Sequence, residues 1–166
     1  MVIKQGPGFP AMLLDKTVAV VVPAYDEEKQ IGRVLATMPD FVDRIIVVND
    51  CSSDKTADVV LNHIREDRSI GKAIRPDDAQ DHGNQYNRAE TLLKEKQQND
   101  LQHYVPSEIA NVHPETDRII LINHLKNGGV GAAIARGYKW CLDHNIDCTA
   151  VMAGDDDVVG LGLGHA

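Results

Sequence analysis

The feature that most constrains this chain is a rhythm of short β-branched apolar runs, at residues 17–22, 44–48, 118–122 and 148–152, separated by segments of helical periodicity. The first two, with no internal polar position, read as strands buried on both faces, and the other two as further strands. Behind the first, Pro23 is expected to stop the strand. Asp26, Glu27 and Glu28 then offer an acidic first turn to a helix with Ile31, Val34, Leu35 and Met38 along one face, ended by Pro39. Behind the second run, Ser52, Ser53 and Asp54 supply capping oxygens to a helix striped with Ala57, Val60, Leu61 and Ile64. The third passes through Asn127, Gly128 and Gly129 into a helix carrying Val130, Ala133, Ile134, Gly137 and Cys141 on one face. The fourth runs into Gly154, Asp155, Asp156 and Asp157. Strands alternating with helices predict an α/β fold: a Rossmann-like, mostly parallel sheet with helices on both faces and ligands beyond the carboxyl ends of the strands.

Residues 68–116 break the rhythm, and the stretch is expected to be a polar insertion within a single domain spanning 1–166. A helix is expected around 87–102, where Glu90 and Lys94 stand at i, i+4 but Ala89, Leu92, Leu93 and Leu101 make only a thin apolar stripe.

Composition narrows the function classes. Lys plus Arg number 17 against 25 Asp plus Glu, a formal charge of -8. That sign opposes binding to a nucleic-acid backbone, although acidic groups can hold a divalent cation that in turn holds phosphates. The apolar runs fall far short of the ~18 residues of a membrane-spanning helix, so no transmembrane segment is expected. Cys51, Cys141 and Cys148 form an odd set with no Cys-x-x-Cys pair, which fits a reducing cytoplasm better than a disulfide or zinc framework. The seven His residues lack zinc-site spacing. Gly160, Gly162 and Gly164 have no strand and helix to frame them as a dinucleotide loop.

The chemistry-bearing residues all follow strands: Pro23, Ala24, Tyr25, Asp26 and Glu27; Asn49, Asp50 and Cys51; Asn127, Gly128 and Gly129; and Asp155 to Asp157. Carboxylates after three strands of one sheet can face one crevice, where a cation or ligand donors relieve their repulsion. This points to a metal-bound diphosphate. Each residue also has a plain structural reading. Tyr25 can close the sheet edge, Glu27 can match a helix dipole, Asp50 can form an Asx turn, and Asn127-Gly128-Gly129 can be a turn with a helix cap. Arg136 can be an exposed helix charge or a phosphate contact.

As a set, Pro23-Ala-Tyr-Asp-Glu-Glu28, Asn49-Asp-Cys-Ser-Ser-Asp-Lys-Thr56 and Asn127-Gly-Gly-Val-Gly-Ala-Ala133, in this order and each behind an apolar strand, closely resemble the N-terminal half of family 2 inverting glycosyltransferases. The resemblance covers 17–65 and 117–157. It implies the A-type glycosyltransferase fold and a nucleoside-diphosphate sugar donor, in particular a UDP-sugar. Pro23, Ala24, Tyr25, Glu27, Asn127, Gly128 and Gly129 would surround the nucleotide, and Asp50 would accept from the uracil N3–H. For the family's Asp-x-Asp motif, which binds Mg2+ or Mn2+, either Ala153 takes the place of the first aspartate and Asp155 that of the second, or Asp155 and Asp157 form the motif displaced by two.

No residue matches the family's catalytic base, whose region would follow the metal motif. The expectation is therefore a donor-binding half, inactive in transfer by itself, with a polyprenyl phosphate or glycan as acceptor of the full-length protein at the cytoplasmic face of a membrane. The alternative is a non-catalytic nucleotide-binding or interaction module.

Overall fold

The computed structural model describes residues 16–67 and 85–153, with side chains at 85–88 and 90 left aside. Five strands, β1 (Val18–Ala24), β2 (Arg44–Asn49), β3 (Ser107–Ile109), β4 (Ile119–His124) and β5 (Cys148–Val151), form one sheet in the order β3-β4-β2-β1-β5. Three of the four pairings, β1 with β2, β1 with β5 and β2 with β4, are parallel, and only β3 runs antiparallel, along the edge of β4. The helices are α1 (Ile31–Ala36), α2 (Thr56–Glu66), α3 (Gln85–Asp100) and α4 (Val130–Asp143).

Strand periodicity divides the core in two. Val20, Val22, Ile45, Val47, Ile119 and Leu121 point to one face and pack with Ile31, Val34, Leu35 and Met38 of the α1 segment and Val60 of α2. Their neighbours Ala19, Val21, Ile46, Val48, Ile120 and Ile122 face the other way, onto Ala133, Trp140 and Cys141 of α4. Gly137 makes this second contact close: a Cβ there would lie 2.3 Å from Cγ1 of Val21. The chain steps from β1 to β2 to β4 over α1 and α2, then returns across the sheet through α4 to β5. Because such crossovers are right-handed, reversing direction moves the helix to the opposite face. The reversal leaves a crevice at the carboxyl ends of β1 and β5, the topological switch point.

The expected alternation of four strands with three helices is present, with four differences from its expected details. First, β1 does not stop before Pro23. The carbonyl of Val21 accepts from Met152 on the β5 side and that of Ala24 from Asp50 on the β2 side. Backbone groups alternate, so the missing N–H of Pro23 falls on the β5 side, beyond Val151, where the ladder has run out. Second, the acidic residues precede α1 instead of forming its first turn, because the amides of Gln30 and Ile31 close a turn on the Glu27 carbonyl. Third, Val130 at the start of α4 is exposed. Fourth, β3 lies within the 68–116 stretch and joins the sheet, with Asn111 just after it donating to the Ile119 carbonyl and accepting from the Leu121 amide. Among the described residues no helix is long and apolar enough to cross a membrane.

Candidate functional site

Two loops carry the expected site, and side-chain bonds tie them to each other. Oδ1 of Asp26, a residue held at φ 52°, accepts the amides of Ser53 at 2.7 Å and Asp54 at 3.3 Å. Oδ2 of Asp54 accepts the Glu28 amide, and Glu28 in turn accepts the Lys55 amide. Thr56, fully buried, donates its hydroxyl to Asp54 and accepts the Glu27 amide. Burial raises the pKa of Asp54, but its bonds from the Thr56 hydroxyl and amide and from the Glu28 amide outweigh this and hold it below the ordinary carboxylate value. Asp26, Glu28 and Asp54 are thus occupied in fixing the loops.

A second network crosses the strand ends. Asn49 and Asn123 are register partners at the ends of β2 and β4, and Nδ2 of Asn49 donates to Oδ1 of Asn123 at 2.9 Å. Asn49 also accepts from Ser52, whose hydroxyl oxygen receives the Asp26 amide. One residue further along, alternation turns the next pair to the opposite face. There Oδ1 of Asp50 lies 2.7 Å from Nδ1 of His124, with both side chains buried. The same carboxylate accepts the amides of Gly128 at 2.8 Å and Gly129 at 2.7 Å. Gly129 has φ +84°, which an L side chain rarely adopts, and its carbonyl accepts the first helical amide of α4, from Ala133.

Between these networks lies a pocket of about 310 Å³ lined by Pro23, Ala24, Tyr25, Glu27, Asp50, Val130, Ala133 and Ala153. Of the eight residues expected around a nucleotide, Pro23, Ala24, Tyr25, Glu27 and Asp50 line it. Asn127, Gly128 and Gly129 do not: the two glycine amides are committed to Asp50, and the Asn127 side-chain amide reaches the Asp50 carbonyl at 3.4 Å. Arg136 is not an exposed charge, and it does not line the pocket. It is buried, Nε donating to the Ser107 hydroxyl at 2.9 Å, and burial lowers its pKa against the opposing pull of Asp143.

Asp155 and Asp157 lie outside the described residues, although Ala153, two positions before Asp155, lines the pocket. Among the described residues no group of three or more His, Cys, Asp or Glu could hold a metal ion. They do not themselves fit a metal centre. His124 and Asn123, the partners of Asp50 and Asn49, are site residues that the strand-end motifs do not single out. Their signal in the sequence is the matched polar endings, Asn49-Asp50 and Asn123-His124, of two apolar runs that become neighbouring strands.

Residues 19–94 match the model of glycosyl transferase family 2. No curated protein matches the chain. The five-stranded, mostly parallel sheet flanked by helices agrees with the Rossmann-like A-type fold of that family.

Proposed function

We propose, from the match of residues 19–94 to the N-terminal domain of glycosyl transferase family 2, that the pocket at the switch point binds the nucleotide of a nucleoside-diphosphate sugar, in particular a UDP-sugar. The observation that carries this reading is the convergence of Pro23, Ala24, Tyr25, Glu27 and Asp50 on one pocket, closed on its other side by the α4 residues Val130 and Ala133. Its wall is mostly apolar with a few polar groups, the balance expected where a flat base is held between hydrophobic surfaces and oriented by hydrogen bonds.

Tyr25 is half exposed at the rim, so its ring is available to cover a bound nucleoside. A carboxylate offers about four acceptor positions. Three donors occupy Asp50, which leaves Oδ2 able to accept one imide N–H of the kind uracil presents. Cytosine presents an acceptor at the same ring position, and the mismatch costs about 1–3 kcal/mol. UDP is therefore favoured over CDP.

Asp155 and Asp157 are the residues we assign to a divalent cation, Mg2+ or Mn2+. When bound, the cation offsets the charge of the diphosphate and of its departure. The sugar acceptor in this reading is a polyprenyl phosphate or a glycan. Calorimetric titration tests the donor assignment: UDP binds more tightly with Mn2+ than with chelator, Asp155→Ala removes that difference, and CDP binds more weakly. Equal affinity for UDP and CDP, or equal affinity with metal and chelator, contradicts it.

A further inference from the structure

We propose that His124 is a positioning residue for this pocket, acting through Asp50 on the loop 127–129. An ionised carboxylate only accepts hydrogen bonds, so the proton shared between Asp50 and His124 belongs to Nδ1 of the imidazole. That bond fixes the rotation of the carboxylate. With Oδ1 held by His124, the Asp50 oxygens meet the Gly128 and Gly129 amides at 2.8 and 2.7 Å. The loop leading into α4 is thereby fixed against the end of β2, and with it Val130 and Ala133 in the pocket wall. Register supplies the geometry: Asn49 pairs with Asn123, so Asp50 and His124 are the next neighbours on the α4 face.

The other ring nitrogen sets a second constraint. Nε2 of His124 is buried and has no hydrogen-bond partner among the described residues. Only the Nδ1 half of the ring is therefore in use, and the polar Nε2 contributes a desolvation cost without a compensating bond. An Asn at this position places its amide nitrogen near that of Nδ1 and so keeps a donor on the side of Asp50. A Gln places its nitrogen near Nε2, on the side away from Asp50. A purely space-filling role would not rank these two polar substitutions in this order.

The proposal rests on the nucleotide reading of the pocket for its binding consequence, but not for its loop consequence. The experiment therefore reads both, using the whole chain as wild type, His124→Asn, His124→Gln and His124→Ala. Amide proton shifts of Gly128 and Gly129 are recorded without ligand, and UDP affinity is measured with Mn2+.

The expected result is that His124→Asn keeps the downfield amide shifts produced by the carboxylate and keeps UDP affinity close to wild type. His124→Gln and His124→Ala lose the shifts and bind UDP about tenfold more weakly, the loss of one charge-assisted hydrogen bond. Unchanged shifts in the Ala and Gln variants overturn the proposal, as does a folded Asn variant that behaves like Gln. Should the Ala variant not fold, the comparison of Asn with Gln still decides. Should wild type bind no UDP, the nucleotide reading fails while the amide shifts still test the role of His124.

Discussion

Oγ1 of Thr56 accepts the backbone N–H of Glu27 at 2.8 Å, joining the first turn of α2 to the chain that leaves β1. The hydroxyl also donates to Asp54, so one buried side chain serves both halves of the double loop that borders the pocket. Thr56→Val preserves the shape and removes both bonds. It is expected to lower stability by about 1–3 kcal/mol, while Thr56→Ser retains most of it. Urea unfolding of the two variants checks this, and a Val variant as stable as wild type contradicts the assigned role.

The parts of this molecule that were legible in the sequence are those encoded by local periodicity. Val20 and Val22 against Ile31, Val34 and Leu35, or Ile120 and Ile122 against Ala133, follow from a two-residue period meeting a helical one. What local pattern does not carry is register. Asn49 and Asn123 are 74 positions apart, and only the β2–β4 alignment brings them together and places Asp50 beside His124. The same holds for β3, three residues with an exposed Glu108 and Ile109, which becomes a strand through pairing with β4. Pro23 misled for a related reason: its tolerance inside β1 depends on where β5 ends, a fact about a distant segment.

At Gly137 helix α4 packs directly against Val21 of β1. A methyl at position 137 would overlap the Val21 side chain, so Gly137→Ala is expected to destabilise by about 1–3 kcal/mol. Val21→Ala opens the space that the methyl needs. The double variant should then lose less than the sum of the single losses in denaturant unfolding. Additive losses would place the strain elsewhere.

The cysteines should separate by reactivity. Burial pushes the Cys141 thiol up to about 11, against a bond from Thr149 that lowers it, and the residue is enclosed by the α4 face of the sheet. Cys51 and Cys148 are exposed. Since the thiolate is the nucleophile, iodoacetamide under mildly alkaline native conditions should modify Cys51 and Cys148 and spare Cys141 until the protein unfolds. Peptide mapping that finds Cys141 modified as fast as the others contradicts this packing.

Acid should weaken the fold through two carboxylates. Asp54 is depressed by its bonds from Thr56 and the Glu28 amide in excess of its burial, and Asp147 by the amide and hydroxyl of Thr17. A depressed folded-state pKa gives stability that is complete above the unfolded value, about 3.9 for Asp. It is lost as pH falls through the lower folded-state values. Urea midpoints should therefore be flat near neutrality and decline below about pH 4, with a shallower acid decline in Asp54→Asn and Asp147→Asn. An acid decline identical in all three proteins would assign the effect to other groups.

The central claim is that a uridine nucleotide occupies the pocket at the switch point of the sheet, and a UDP titration followed through the backbone amide resonances tests it most directly. With Mn2+ replaced by diamagnetic Mg2+, the account predicts saturable shifts concentrated at Ala24, Tyr25, Glu27, Asp50, Val130 and Ala133, the residues that line the pocket. Absence of saturable shifts, or shifts concentrated at the amino ends of the strands instead, would contradict it.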